Sequence, residues 1–142
     1  MLDQTDEGIL DILTENARTP FINIAKQLKV SESTVRKRVG NLEKSGIIKK
    51  YSALVEPSKL GYSNAIVGID VEPEKFLEVA KKLTEFKNVK FVATTTGDHM
   101  IMTEIWMEKA SALRDFISNK IGKMDGVKRT CPAIITEKLK ER

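Results

Sequence analysis

The sequence predicts an α+β chain, a helix-turn-helix unit followed by a ferredoxin-like βαββαβ sandwich. Three observations carry that expectation. The stretch Thr19 to Gly46 reads as two short helices about a tight turn, and the second is basic. Beyond residue 62 the patterning runs strand, helix, strand, strand, helix, strand, the order of one antiparallel sheet with two helices on a single face. The 142 residues are 41% apolar and 31% charged, which suits one ordinary globular domain or two small ones.

Composition also narrows the setting. No apolar run approaches the roughly 18 residues of a membrane span. The acidic start MLDQTDEG lacks the apolar core of a signal peptide. Cys131 is the single cysteine, so no internal disulfide framework is possible, and a cytoplasmic protein is expected. Net charge is +4, but its distribution says more. Residues 1–17 hold five acids and no base, whereas residues 18–50 hold nine bases against two acids. A block of positive charge on a folded unit is the footprint of a polyanion. A merely solvated helix face is the competing reading.

The first helix is expected from Asp3 to Asn16, with Asp3 as cap, Asp6 and Glu7 favoured by the helix dipole, and Ile9, Leu10, Ile12 and Leu13 as its apolar stripe. Thr19 as N-cap and Pro20 at the first helical position open the second helix, which runs to Leu28 with Ile24, Ala25 and Leu28 inward. Lys29-Val30-Ser31 forms the turn. Ser31 then caps a third helix from Glu32 to about Ser45, with Thr34 at its third position and Gly46 just past its end. Val35, Val39 and Leu42 share one face. At 100° per residue, Ser33, Lys37, Gly40 and Lys44 fall opposite, with Thr34 and Asn41 beside them and Arg36 and Arg38 to the two sides.

That arrangement suits a major groove, with small polar groups reading base edges and basic groups holding phosphates. Ser31, Ser33, Thr34, Arg36, Lys37, Arg38, Asn41 and Lys44 are the candidate DNA-binding residues, Arg36 and Arg38 more as phosphate contacts than as base contacts. Gly40 costs about 1 kcal/mol of helix propensity, which close approach to a DNA backbone would explain, as would chance.

Ile47 to Val55 reads as extended and ends at Glu56-Pro57. The expected layout is a helix-turn-helix domain over 1–50, a connector strand and linker over 51–62, and the sandwich over 63–142. Strands are expected at Ala65–Val71, Val89–Thr95, His99–Met107 and Val127–Ile135, and helices at Pro73–Phe86 and Ala110–Met124. Thr96-Gly97-Asp98 joins the middle strands as a hairpin. Met100, Met102 and Trp106 alternate with Ile101 and Ile105, so both faces of that strand are apolar. Helices cover one face only; a second copy of the sheet is expected on the other, making an isologous homodimer.

Three stretches carry a resemblance: LDQTDEGILDILTENARTPFINIAKQL, SESTVRKRVGNLEKSGIIKKYSALVEPSKLGY and GDHMIM. On these, and over essentially its whole length, the chain resembles the Lrp/AsnC, or feast/famine, transcriptional regulators, particularly the archaeal ones. The resemblance implies a winged-type helix-turn-helix domain and a C-terminal effector domain. It implies dimers that assemble into tetramers or octamers, with amino-acid ligands at dimer–dimer contacts near the Gly-Asp hairpin. It makes Ser31–Ser45 the recognition helix and Ile47–Val55 the connector strand, and it places Thr96, Gly97, Asp98, His99 and Met100 in the ligand-binding loop. Many members have Gly where this chain has Lys29, and a side chain in a left-handed turn costs roughly 1–2 kcal/mol.

Asp98 has two readings, the ordinary turn aspartate and a partner for a ligand ammonium. Lone His99 has no metal-ligand company, and Cys131 has no base at motif spacing. No catalytic residue, metal or cofactor is expected: the sequence has no Gly-rich phosphate loop, metal spacing or nucleophile elbow. The expected function is a sequence-specific regulator of transcription that binds double-stranded DNA, modulated by a small molecule, an amino acid by resemblance, at an oligomer contact. The rivals are an enzyme on the ferredoxin-like domain and a packaging protein indifferent to sequence.

Overall fold

The computed structural model describes residues 2–141. Met1 and Arg142, the outer ends of the two expected domains, lie outside the described residues. The chain divides into two compact units at Leu54/Val55.

The first unit is three helices, α1 (Gln4–Glu15), α2 (Phe21–Leu28) and α3 (Glu32–Lys44). Asp3 caps α1, its carboxylate accepting from the N–H of Thr5 at 2.9 Å and of Asp6 at 3.0 Å, while the Asp6 carboxylate accepts from the Asp3 N–H at 3.3 Å. This is a capping box with Asp in the Glu position. Thr19, expected to cap α2, does not. Its hydroxyl donates to the Asn16 carbonyl at 2.8 Å, satisfying the end of α1 instead. Pro20 takes the cap position with no side-chain bond, and its carbonyl receives the N–H groups of Asn23 and Ile24.

Lys29 ends α2 at φ 56° and ψ 41°, the only non-glycine with positive φ among the described residues. Ser31 caps α3 through the Thr34 N–H at 3.1 Å, and Gly46, at φ 74°, turns the chain away beyond it. Ile9, Leu13, Ile24, Ala25, Val35, Val39 and Leu42 form the core of this unit. No strand forms here among the described residues. The expected connector strand makes no ladder, because an extended segment needs a neighbouring strand's N–H and C=O groups and none stands beside it among the described residues. A 3-10 turn at Pro57–Leu60 follows it.

The second unit contains β1 (Ser63–Val71), α4 (Phe76–Glu85), β2 (Val89–Thr94), β3 (Ile101–Met107), α5 (Ala110–Asp115) and β4 (Val127–Ile134). The sheet order is β2-β3-β1-β4, antiparallel throughout. Pro73–Lys75 is a separate 3-10 turn before α4. The expected single helix at Ala110–Met124 becomes α5 followed by a π-helical segment over Phe116–Ile121, where the Gly122 N–H reaches back five residues to the Ile117 carbonyl at 2.8 Å. Leu113, Ile117 and Ile121 are spaced by four. That spacing exceeds the 3.6 residues of an α-turn, and the wider turn keeps all three buried. They pack with Val79 and Leu83 of α4 onto Ala65, Val67, Ile69, Val71, Ile101 and Ile105.

The opposite face of the sheet carries the alternate residues. Ile66 and Phe91 are 43% and 53% exposed. Between them lies a paired polar set: the Glu104 carboxylate accepts from Asn64 Nδ2 at 3.2 Å and Trp106 Nε1 at 2.9 Å, with Lys138 Nζ 3.7 Å away. The face is therefore less apolar than the alternation of Met and Trp with Ile predicts.

Candidate nucleic-acid interface

Burial of Val35, Val39 and Leu42 fixes the rotation of α3 about its axis. Ser31, Ser33, Arg36, Lys37, Asn41 and Lys44 are left exposed, and Thr34 and Arg38 half-buried. The Ser31 hydroxyl lies 2.7 Å from that of Thr34 and 2.9 Å from that of Ser33, so the first turn presents a linked hydroxyl cluster. A groove of about 720 Å³ runs beside the helix, lined by Leu2, Asp6, Thr34, Lys37, Arg38 and Asn41 among others.

The basic residues differ in their partners. Lys37 and Lys44 are in no ion pair among the described residues. Arg36 Nη2 donates to Glu32 Oε1 at 2.6 Å, and its guanidinium lies 5.4 Å from the Phe21 ring centroid, yet it stays 67% exposed. Arg38 Nη1 donates to Asp3 Oδ2 at 2.6 Å and Asp6 Oδ1 at 3.0 Å. The bond it donates to Asp3, then that to Asp6, raises the Arg38 pKa. The Asp6 backbone N–H, then Arg38, holds the Asp3 carboxyl below the usual carboxylate range. Apart from its chain neighbours and the backbone of its own helical turns, no described heavy atom lies within 4 Å of where a Cβ on Gly40 would sit.

The hairpin of the second unit divides its candidate residues. Thr96, Gly97 and Asp98 are exposed at the tip, Gly97 at φ 124°. Thr95 closes the loop, its N–H donating to the Met100 carbonyl at 2.9 Å and its hydroxyl to the His99 carbonyl at 2.6 Å. His99 and Met100 turn away from the tip. Met100 packs against the core. The His99 imidazole lies over Gly68, where a Cβ would come within 2.2 Å of His99 Cδ2. Its Nδ1 is 3.1 Å from Asp70 Oδ1, and Asp70 Oδ2 accepts from Arg129 Nε at 2.9 Å. His99 first, then Arg129, holds the Asp70 carboxyl below its usual range. The hydrogen bond to Asp70 in turn raises the Arg129 pKa. Sequence reading missed Gly68, Asp70 and Arg129, because only the strand register sets Asp70 opposite Arg129. Cys131 stands opposite Gly68 on β4 and is half-buried. Among the described residues no group of three His, Cys, Asp or Glu side chains is placed to hold a metal ion, and no helix is long and apolar enough to cross a membrane.

Two family profiles divide the chain between them. "Winged helix-turn-helix DNA-binding" matches residues 2–49, and "Lrp/AsnC ligand binding domain" matches residues 64–142. The chain belongs to the Lrp/AsnC family. The regulator LrpA of Pyrococcus horikoshii is 55% identical over 141 residues, covering 99% of this chain and 100% of the relative. LrpA1 of Halobacterium salinarum is 41% identical, covering 97% of this chain and 98% of its own. Among solved structures, E. coli AsnC superposes with a TM-score of 0.85 at 30% identity, over 100% of this chain and 97% of that one. The Neisseria meningitidis regulator NMB0573, solved as an L-Met complex, shares the fold with a TM-score of 0.87 at 22% identity, over 99% of this chain and 94% of that one. This Lrp/AsnC chain is thus a transcriptional regulator, not an enzyme, with a DNA-binding helix-turn-helix domain and a ligand-binding domain.

Proposed function

We propose that this regulator reads a specific DNA sequence with α3 and responds to an amino acid at the 95–100 hairpin. The observation that carries the first half is the clean division of α3. Val35, Val39 and Leu42 are buried, while Ser33, Lys37, Asn41 and Lys44 lie exposed. Small polar groups at the helix start reach base edges, and Lys37, Lys44 and Arg36 meet phosphates. The domains are those of the sequence reading: DNA binding over 1–50, a connector over 51–62, and ligand binding with oligomerisation over 63–142.

The second half rests on charge. Exposed Asp98 offers a carboxylate for an ammonium group, and Arg129, whose side chain is 63% exposed, offers a guanidinium for a carboxylate. Those two groups match the two ends of a zwitterion. Thr96 and Gly97 complete the exposed tip, and His99 braces it through Asp70. The ligand acts by favouring one assembly of dimers, a tetramer or octamer, over another, which requires different affinities for the two. The protein works in the cytoplasm.

Selection of bound duplexes from a random pool, with and without amino acids, tests the reading. Enrichment of a pseudo-palindrome with half-sites one or more helical turns apart is expected. Recovery of unrelated sequences in equal measure would instead mark a packaging protein. Changing Lys37→Ala and Lys44→Ala should each reduce the steepness of log K against log salt by about 1.8 on the full site, the signature of one lost phosphate contact in each half-site. For the ligand, thermal shift and sedimentation across the twenty amino acids, beginning with L-Met, should show one that moves both. No response from any of them would leave a ligand-independent regulator.

A further inference from the structure

The basic residues of α3 are of two kinds. Among the described residues Lys37 and Lys44 are in no ion pair, whereas Arg38 is claimed by carboxylates of another helix. One nitrogen, Nη1, donates to both Asp3 and Asp6, and the arginine side chain is 31% exposed. Those same two carboxylates build the reciprocal cap of α1. A single guanidinium therefore ties the start of the first helix to the middle of the third.

We infer that Arg38 is a positioning residue and not a DNA contact: the Asp3–Asp6–Arg38 strut sets how α3 stands on α1 and so how Ser33, Lys37 and Asn41 are presented. The inference rests on α3 being the DNA-reading helix. Two physical arguments support it. Among the described residues α1 and α3 also share an apolar core, through Ile9, Leu13, Val35, Val39 and Leu42, and burial of apolar surface is non-directional. A charge-assisted hydrogen bond is directional, so it can fix a rotation that packing alone leaves loose.

The second argument is electrostatic. Asp6 lines the same groove as Thr34, Lys37 and Asn41, so its charge stands beside the proposed path of a phosphate backbone. With Arg38 in place, two carboxylates and one guanidinium leave a single net negative charge there. Drawing Arg38 out to a phosphate would expose both carboxylates to a polyanion. The acids hold the arginine, and the arginine makes the acids tolerable at that edge.

Two variants of the full chain give opposite signs for the two roles. Ser is as good a helix cap as Asp, so Asp3→Ser with Asp6→Ala removes both carboxylates that hold Arg38 and keeps the N-cap oxygen. If Arg38 is a strut, this variant binds the enriched duplex about tenfold more weakly, the scale of one lost base contact, although two repulsive charges have gone. Its salt slope stays unchanged. Tighter or unchanged binding, with the slope steepened by about 1.8 as a freed Arg38 in each half-site finds a phosphate, would overturn the strut.

Arg38→Gln supplies the converse. Here too the enriched duplex should lose about tenfold while a scrambled duplex of equal length loses less, at unchanged slope, with the fold intact by circular dichroism at the binding temperature. Arg38→Lys should recover part of the loss. A slope lessened by about 1.8, or no change in affinity, would overturn the proposal. Lys37→Ala is the control on the underlying reading. If it leaves the slope untouched, α3 is not the DNA-reading helix, and that failure is separate from the strut's.

Discussion

At the scale of single residues, two positions in the first unit hold the wrong residue for their backbone, for different reasons. Lys29 sits at φ 56°, where its Cβ crowds the following carbonyl. Lys29→Gly relieves about 1–2 kcal/mol of strain and returns some of it as unfolded-chain entropy. A net gain of about 0.5–1 kcal/mol is expected, read as a rise in the melting temperature of the first unit. A fall would mean that the lysine side chain makes a contact worth more than the strain. Gly40 is the reverse case, a glycine inside a helix with open space around it and no positive φ to require it. Gly40→Ala should stabilise α3 by about 0.5–1 kcal/mol. If a DNA backbone comes close there, the same methyl should weaken binding, measured by titration of the enriched duplex. Stability and affinity both rising would make the glycine incidental. Lys29 was legible in the sequence because turn chemistry is local. The role of Arg38 was not, because the carboxylates that hold it stand 35 and 32 positions earlier, and spacing along a helix cannot show which side arginine is taken by a neighbouring element.

At the scale of elements, the caps carry a pH signature. The folded pKa of Asp3 lies below the ordinary 3.8, so the unfolded chain takes up the proton more readily than the native one. The stabilisation is therefore fully present above pH 3.8 and disappears as pH falls through the lower, folded value. Thermal melts of the parent chain and of Asp3→Asn should differ at pH 6 and converge below pH 3.8, the variant being the less stable at the higher pH. A gap that is the same at every pH would remove the charge from the cap's contribution. The capped helices were also the most legible elements. Asp3, Ser31 and Gly46 each specify a terminus through hydrogen bonds or a φ that only a few residue types satisfy. Elements without such punctuation were read less well. Thr19 had a second acceptor within reach, the Asn16 carbonyl, and the start of α2 moved on. The π-helical segment at Phe116–Ile121 answers to burial of three side chains on a sheet that composition and local spacing do not describe. The candidate effector loop shows the same limit. Its exposed tip follows from Gly97-Asp98, whereas the bracing of His99 by Asp70 and Arg129 needs three strands in register.

At the scale of the whole molecule, the uncovered sheet face argues for a second copy. Ile66 and Phe91 are exposed there, and their burial is the driving force. The polar residues between them would oppose burial if they had to give up water without compensation. They do not: Glu104 is already bonded to Asn64 and Trp106, and Asp70 to His99 and Arg129. Such a face can meet its own copy across a two-fold axis without orphaned donors or acceptors, and in that geometry each substitution strikes twice. Ile66→Asp with Phe91→Asp should therefore halve the sedimenting mass while the first unit keeps its fold. The effect on DNA follows from linkage. Two joined recognition helices bind a pseudo-palindrome more tightly than a half-site by about 10²–10⁴, because the second contact is intramolecular. In the variant that ratio should collapse toward one, with the affinity for a half-site duplex unchanged. The salt slope on the full site should fall to about half, since only one set of phosphate contacts remains in each bound species. A variant that still sediments as a dimer would place the two-fold contact on another face. A monomer that kept full preference for the pseudo-palindrome would show that spacing set by the second unit is not the source of specificity.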